Sequence, residues 1–258
     1  MKIIFQDCGK NYHRSWLFRK LNLELDLGKE GQPLRLALLG GNGSGKSTLT
    51  LIIAGQTQPT EGSVLWLDQR GQEISSDRWY KHVALASPAL ELPEEFSLKE
   101  WFDFHDKVKG FAPDFDINRL MEFCEFSKST QSKALLTFSS GMKQRVKLCM
   151  AMMGTEPLVI LDEPLTNLDE QGMQLYKHLL EDQLKGRSLI IVTGTTIALC
   201  FSLRVFCGDD ISRLYSWIIK IFCHCARTWI IGNQKEYTKN DQPFPDLHLL
   251  LASEFTMH

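Results

Sequence analysis

A glycine-rich segment from Gly40 to Thr48 constrains this chain more than any other feature of its sequence. The segment consists of Gly40, Gly41, Asn42, Gly43, Ser44, Gly45, Lys46, Ser47 and Thr48, and it fits the phosphate-loop pattern G-x-x-x-x-G-K-[ST] in full. Glycines let successive backbone N–H groups turn toward phosphate oxygens, which side chains at those positions would obstruct. The apolar stretch Leu34–Leu39 precedes the segment, and the helical stretch Ser47–Ala54 follows it. The pattern therefore predicts a phosphate-binding loop between a buried strand and a helix, rather than an ordinary glycine-rich turn.

The phosphate-loop pattern predicts a role for two side chains of this loop. Lys46 is expected to reach the β- and γ-phosphates of a nucleotide, and the Ser47 hydroxyl is expected to ligate Mg²⁺. The helix that starts here adds its positive N-terminal end. Kinases, GTPases, helicases and transport ATPases all use such a loop, so the loop alone predicts a nucleotide site and no particular reaction.

Two adjacent carboxylates, Asp162 and Glu163, follow the apolar stretch Leu158–Leu161. Such a stretch is typical of a buried strand, which would deliver both carboxylates to the sheet edge that carries the phosphate loop. We expect Asp162 to organise Mg²⁺ and Glu163 to polarise the attacking water. An acidic pair is common on protein surfaces, but it is much less common directly after a buried strand.

Strands alternate with helices along most of the chain, which predicts an α/β fold with a mainly parallel sheet. Leu21–Leu27 alternates apolar with polar residues, and together with Ile3–Phe5 it predicts an antiparallel edge. A capping box at Ser97 opens a helical region that is expected to continue past Pro113 to about Cys124. Residues 88–140 would thus form a helical insertion. Further strands are expected at Val64–Leu67, His82–Ala86 and Leu189–Val192, and a further helix at Glu170–Leu184.

Composition argues against several classes of protein. The formal net charge of −2 gives no overall positive field, so we expect no nucleic acid partner. The N-terminus lacks the apolar core of a signal peptide, and no apolar run approaches the roughly 20 residues that span a bilayer. The seven cysteines are odd in number and scattered, which favours a reducing compartment. The spacing of Cys223, His224 and Cys225, even with Cys200 and Cys207, does not match that of zinc ligands.

The segment Phe138–Arg145 lies between the phosphate loop and the acidic pair and reads F-S-S-G-M-K-Q-R. It resembles the signature of the ATP-binding cassette (ABC) family, usually written LSGGQ, although three of these five positions differ. Ser139, Ser140 and Gly141 at the start of a helix would form an anion site. Taken alone, the segment is also compatible with an ordinary N-capped helix, but its position between the other two motifs favours the signature.

This resemblance implies an ABC-type nucleotide-binding domain of the P-loop NTPase fold, with an antiparallel β edge subdomain and a helical signature subdomain at about 88–140. The domain would span residues 1–195, leaving 196–258 as a divergent C-terminal segment. Asn167–Asp169 looks like the family's D-loop. Tyr12 resembles the aromatic residue that stacks on adenine, with a strand-end tyrosine in the core as the alternative.

The same resemblance implies an ATP-hydrolysing, Mg²⁺-dependent subunit that is cytoplasmic and peripheral on the inner face of the cell membrane. Two cassettes, identical or different, would pack head to tail, with each ATP between Lys46 of one and Ser139 of the other. A transmembrane permease subunit would turn this closure into transport. A hydrolysis-impaired cassette and a soluble cassette that works outside transport are the alternatives.

Two residues that the family normally carries are missing. A glutamine is expected after the strand His82–Ala86, where this chain has Ser87 to Glu91 instead. Glu91 is the candidate substitute, but its negative charge would repel a γ-phosphate unless Mg²⁺ intervened. A histidine that senses the γ-phosphate is expected, by spacing from the acidic pair, near Gly194–Thr195. An internal sequence echo offers Asn233 as its equivalent, with residues near 188–226 looped out. Spacing favours Gly194–Thr195, and the tail after it would then pack elsewhere or be poorly ordered.

Overall fold

A computed structural model describes residues 1–13, 15–28, 33–184 and 186–194, together with the backbone of 218–223 and 228–232, and these residues form two β-sheets and five α-helices. The strands are β1 (Lys2–Tyr12), β2 (Ser15–Asp26), β3 (Arg35–Leu39), β4 (Glu61–Leu67), β5 (Glu73–Ile74), β6 (Val83–Ala86), β7 (Leu158–Asp162), β8 (Ser188–Thr193), β9 (Ile218–Cys223) and β10 (Thr228–Gly232). The α-helices are α1 (Lys46–Ile53), α2 (Leu98–Val108), α3 (Ile117–Phe123), α4 (Ser140–Met152) and α5 (Glu170–Gln183). Short 3-10 turns occupy Ser76–Lys81, Lys128–Ser132 and Leu135–Thr137.

The larger sheet has the strand order β10-β9-β3-β8-β7-β6, and only β10 runs antiparallel to its neighbour. Every residue of β7 and β8 is buried, as expected for strands covered on both faces. The register pairs Ala86 with Leu161, Asp162 with Val192, and Leu39 with Thr193. The carboxyl ends of β3, β6, β7 and β8 therefore meet at one edge of the sheet.

The smaller sheet is antiparallel, with the order β2-β1-β4-β5, which confirms the predicted antiparallel edge. Alternate leucines of β2 (Leu21, Leu23 and Leu25) point into a core shared with α1 and one face of the parallel sheet. Because α1 is held between the two sheets, its N-terminal end is fixed at the edge where β3 stops.

A helical region follows β6, and together with α4 and α5 it covers the other face of the parallel sheet. The capping box is confirmed: the Ser97 hydroxyl accepts from Glu100 N–H, and the Glu100 carboxylate accepts from Ser97 N–H. The expected helical region past Pro113 to about Cys124 is confirmed, but it consists of two helices, because α2 ends at Val108 and α3 starts at Ile117. Gly110 turns the chain with a φ of 78°, and Pro113 has no N–H for a helical hydrogen bond.

The C-terminal segment contributes backbone to the parallel sheet. Strand β9 pairs with β3 in parallel, from Leu36 opposite Ile218 to Leu39 opposite Ile221. The expectation that the tail packs elsewhere is therefore wrong for β9 and β10, because β9 covers the otherwise open edge of β3. Within the described part of the chain, none of the helices is long and apolar enough to cross a membrane.

Candidate functional site

The phosphate loop connects β3 to α1 with its glycines in conformations that other residues rarely adopt. Gly43 and Gly45 have φ angles of 77° and 95°, and Gly45 is the N-cap of α1. A Cβ at Gly41 or Gly43 would meet no atom within 4 Å, so the space beside the loop is free. The loop thus leaves the open space that a phosphate group needs.

The Lys46 side chain is buried within the loop. Its ammonium donates to Gly40 O at 2.6 Å and to Gly41 O at 3.0 Å. An ammonium has three N–H donors, so one remains beyond these two contacts. The positive charge therefore already lies in the cradle, where it can turn toward a phosphate.

The hydroxyls of the loop differ in their surroundings. Ser44 Oγ is buried and has no hydrogen-bond partner among the described residues. A buried hydroxyl without a partner costs about 1–3 kcal/mol, so this atom fits a ligand with oxygen acceptors. Ser47 and Thr48 are half-buried in the first turn of α1, and Asn42 is exposed. The loop residues therefore fit a bound nucleotide phosphate.

The Asp162 carboxylate ends β7 and is almost completely buried. Its Oδ2 accepts from Ser87 Oγ at 2.9 Å, while its Oδ1 is buried without a partner among the described residues. A carboxylate oxygen without a partner among the described residues fits a divalent cation or its water, and the Ser47 hydroxyl in the phosphate loop is an oxygen donor of the kind that such a cation takes. The Ser87 contact was not predicted from the sequence. The one sequence feature that points to this contact is the position of Ser87 directly after a predicted strand, at the same edge as the acidic pair.

The Glu163 carboxylate lies against the end of β8. Gly194 N–H donates to Glu163 Oε1 at 2.6 Å, and Thr193 Oγ1 lies 3.3 Å from Oε2. Glu163 itself adopts a left-handed φ of 46°, and its N–H donates to Val192 O at 2.8 Å. The sequence analysis did not assign a role to Thr193. These contacts aim the carboxylate at the sheet edge instead of leaving it free in solvent.

Gly194 lies where spacing placed the missing histidine. A Cβ built on it would be 3.3 Å from Asn42 Oδ1, 3.3 Å from Glu163 Oε1 and 3.6 Å from Gly40 O. The position therefore borders both the phosphate loop and the acidic pair, and it carries no side chain. Thr195 and the alternative Asn233 lie outside the described residues, as do Cys200, Cys207, His224 and Cys225.

The position of the missing glutamine is taken by a short turn after β6. Ser87 is buried here, whereas Glu91 is exposed. Burial lowers the pKa of Lys147, and the negative charge of Glu91 opposes that shift in part. Lys147, on α4, donates to Ser87 O at 3.2 Å. Glu91 therefore lies near Lys147, and no hydrogen bond among the described residues joins it to the acidic pair.

The signature segment begins α4. Ser139 is the N-cap and accepts from Met142 N–H at 3.2 Å, and both Ser139 and Ser140 are exposed. A Cβ at Gly141 would come within 2.9 Å of Asn167 O, so only glycine lets the predicted D-loop pack this closely. None of the described hydrogen bonds joins these signature residues to the phosphate loop of the same chain.

A second contact ties α4 to the segment after the acidic pair. The Arg145 guanidinium donates to Asp169 Oδ2 at 2.7 Å. The N–H of Gly172 and then this guanidinium hold the pKa of Asp169 below its ordinary value. The signature helix and the predicted D-loop are therefore held as one unit.

Tyr12 lies at the end of β1, opposite Ser15. Its side chain is 44 % exposed, and the Lys10 ammonium lies 5.0 Å from its ring centroid. The alternative of a core tyrosine is therefore wrong. The ring is exposed enough to stack on a further group.

Comparison with known proteins identifies the family to which this chain is similar. The sequence model of the family described as "ABC transporter" matches residues 20–166. The cytochrome c biogenesis ATP-binding export protein CcmA of Methylococcus capsulatus is 31% identical over 188 residues, which cover 69% of this chain and 83% of that protein. The human ATP-binding cassette sub-family A member 10 is 30% identical over 156 residues, 59% of this chain but only 10% of that protein.

Solved structures share the fold. A structure described as the ATP binding subunit of an ABC transporter has a TM-score of 0.66 at 21% identity and covers 86% of each chain. The ATP-binding cassette MJ0796, solved as a dimer in a post-hydrolysis state with ADP and Pi, has a TM-score of 0.62 at 18% identity, covering 85% of this chain and 94% of that one. Both resemblances support the P-loop α/β architecture.

Proposed function

The chain belongs to the ABC transporter family, and from this premise we propose that it binds and hydrolyses ATP as the motor subunit of a membrane transporter. The observation that carries the proposal is the shared edge of the parallel sheet. There the open glycine loop with Lys46 lies at the carboxyl end of β3, and the half-satisfied carboxylate of Asp162 and the anchored carboxylate of Glu163 lie at the carboxyl end of β7, on the other side of β8.

Each residue of this edge has a separate role in phosphoryl transfer to water. The loop N–H groups and Lys46 hold the β- and γ-phosphates of ATP, while Ser47 and Asp162 Oδ1 hold Mg²⁺. When bound, Mg²⁺ offsets the negative charge of the phosphates. The Glu163 carboxylate orients and polarises the attacking water, because Gly194 N–H and the Thr193 hydroxyl hold it in place.

A second cassette completes the site in this proposal. Ser139, Ser140 and Gly141 begin α4, the two serines are exposed, and no described hydrogen bond links them to their own phosphate loop. They are therefore available to cap the γ-phosphate on a partner subunit, in a head-to-tail dimer of identical or different cassettes.

A membrane partner is supported by an exposed apolar surface on the helical region. Phe96, Phe104, Val108 and Leu136 are between 38% and 64% exposed, and Phe96 and Phe104 pack against Trp101. Large apolar side chains grouped on a surface favour a protein contact. We place the chain on the cytoplasmic face of a membrane, bound there through a transmembrane permease subunit.

A hydrolysis-impaired cassette is the second candidate, and one observation favours it. Gly194 occupies the position that borders both the phosphate loop and Glu163, so no side chain there contacts a γ-phosphate. The turn Ser87 to Glu91 also offers no glutamine. Such a cassette would bind ATP and close on a partner but turn over slowly.

Two measurements on the purified chain separate these possibilities. Calorimetric titration with ATP tests binding, and phosphate release at saturating ATP tests turnover, alone and with membranes that contain the partner. Binding with turnover supports the motor subunit, and binding without turnover supports the impaired cassette. Absence of ATP binding would refute both. Co-purification with an integral membrane protein from detergent-solubilised membranes supports the transport role, whereas recovery without one favours a soluble cassette outside transport.

A further inference from the structure

A buried serine holds the carboxylate that is proposed to take the cation. Ser87 is fully buried at the end of β6, and its Oγ lies 2.9 Å from Asp162 Oδ2. The register of β6 against β7, Ala86 opposite Leu161, places the two residues side by side at the edge of the sheet. This contact joins the strand that lacks the family's glutamine to the strand that carries the acidic pair.

The direction of this hydrogen bond follows from the other partner of the hydroxyl. Ala89 N–H donates to Ser87 Oγ at 3.2 Å, so the hydroxyl uses a lone pair there. A hydroxyl has one hydrogen, and the ionised carboxylate can only accept. Ser87 therefore donates its hydrogen to Asp162 Oδ2.

Ser87 is also held through its backbone. Lys147, on the signature helix α4, donates to Ser87 O at 3.2 Å. Its side chain is half-buried and comes from a different element from either partner of the hydroxyl. The serine is thus fixed by its own turn and by α4, which leaves little freedom to the carboxylate that it contacts.

The consequence for Asp162 is that its two oxygens are no longer equivalent. Oδ2 is bound by the serine, whereas Oδ1 is buried without a partner among the described residues. A buried charged oxygen without a partner is costly, and a cation or its water relieves that cost. Rotation of the carboxylate would exchange the oxygens only by breaking the serine contact.

We propose that Ser87 is a positioning residue that holds the Asp162 carboxylate so that Oδ1 alone is presented to the divalent cation of a bound nucleotide. The inference rests on the proposed nucleotide site and adds to it a residue at the turn where the family's glutamine is missing. A serine that merely fills a buried position would stabilise the fold without affecting cation binding, and this difference can be measured.

The experiment uses Mn²⁺ as the cation, because the free ion gives an EPR signal that disappears on binding. Wild type, Ser87→Ala and Ser87→Cys are saturated with ADP and titrated with Mn²⁺. Their affinity for ADP is measured separately in EDTA by calorimetry, and their folding by thermal unfolding. Ser188→Ala is the matched control: Ser188 is also a buried serine of the parallel sheet, and its hydroxyl donates to Leu27 O, but it lies at the opposite edge.

We expect Ser87→Ala to weaken Mn²⁺ binding by about tenfold, in line with the loss of other hydrogen bonds that orient a metal ligand. Its ADP affinity in EDTA should match wild type. Ser87→Cys keeps the size of the side chain but offers only a weak S–H donor, so its Mn²⁺ affinity should fall in between. Ser188→Ala should lose stability and keep the Mn²⁺ affinity of wild type.

Wild-type Mn²⁺ affinity in folded Ser87→Ala would overturn the proposal. If that variant does not fold, Ser87→Cys decides in the same way. Equal weakening in Ser188→Ala would also overturn it, because the effect would then follow from general loss of packing. A wild-type protein that binds no ADP in EDTA would refute the proposed nucleotide site itself, and this inference with it.

Discussion

The phosphate loop and the two positions that flank the acidic pair lie at the same sheet edge but depart from the family to very different degrees. The loop from Gly40 to Thr48 keeps every residue of its motif. The turn at Ser87 and the glycine at Gly194 lack the glutamine and the histidine expected there. In the proposed function, the first region works mainly through backbone N–H groups, whereas the second depends on particular side chains. The proposal therefore assigns nucleotide binding and nucleotide cleavage to separate parts of this edge.

The largest effect should come from Glu163→Gln. This variant tests whether the Glu163 carboxylate activates the attacking water although Ser87 and Gly194 replace the residues that the family carries. The amide keeps the shape but cannot accept a proton, so ATP turnover should fall by a factor on the order of 10² to 10⁴. ATP binding should persist, and nucleotide-bound dimers should accumulate on gel filtration. Phosphate release is the measurement, with Glu91→Gln as the control. Wild-type turnover in Glu163→Gln and loss in Glu91→Gln would reverse the assignment.

A smaller effect is expected for Lys46→Ala, which tests the phosphate loop, the region that keeps its complete motif. Loss of a charge-assisted phosphate contact costs about 1.5–3 kcal/mol, so the dissociation constant for ATP should rise roughly ten- to a hundredfold. Lys109→Ala is a suitable control, because Lys109 also donates to a backbone carbonyl, Val83 O, at the start of β6 instead of at its carboxyl end. Equal ATP affinity in folded Lys46→Ala and wild type would show that ATP does not bind at this loop.

Gly194→His tests the region that lacks the family's histidine, because it places an imidazole beside Glu163. If the missing histidine limits hydrolysis, turnover should rise by about tenfold, the value of one hydrogen bond to a charged group. Gly194→Ala supplies the same Cβ, which would be 3.3 Å from Glu163 Oε1, without the imidazole. A gain in the histidine variant alone supports the assignment, and no difference between the two variants contradicts it. Asn233→Ala should leave turnover unchanged.

The smallest effect is expected for Tyr12→Ala, which concerns the base instead of the phosphates. Loss of stacking is worth about 1 kcal/mol, so ATP affinity should fall about fivefold. Tyr12→Phe keeps the ring and should bind as wild type does. The comparison uses calorimetric titration with ATP and with inorganic triphosphate. A loss of the same size for triphosphate would show that Tyr12 does not contact the base.

Local motifs were sufficient to predict the loop, the acidic pair and the antiparallel edge, because each depends on residues close together in sequence. Spacing from Glu163 also placed Gly194 at the site. The contact between Ser87 and Asp162 could not be predicted in this way, since it depends on the register of strands 75 residues apart. The helical region from Ser97 to about Cys124 was also predicted, but its division into α2 and α3 at Gly110 and Pro113 was not.

The tail was the least predictable part for a different reason. A short apolar run such as Ile218–Cys223 is compatible with a buried strand in any sheet of the molecule. Its pairing with β3 depends on which edge the other strands leave open, and this is settled only by the complete fold. A truncation after Val192 would therefore remove a strand next to β3, and loss of activity in such a variant would report on folding as much as on catalysis.

The position of β3 in the sheet also bears on how the protein is made. Its two neighbours, β8 and β9, lie about 150 and 180 residues further along the chain. At about 5–20 residues per second, roughly 8–30 s pass on the ribosome between synthesis of β3 and synthesis of β8. During that interval, both edges of an apolar strand lack their partners, and the strand is open to chaperones and to mispairing. Strand β3, which leads into the phosphate loop, is thus the first described strand of the parallel sheet to be translated and must wait for the C-terminal third of the chain to gain its neighbours.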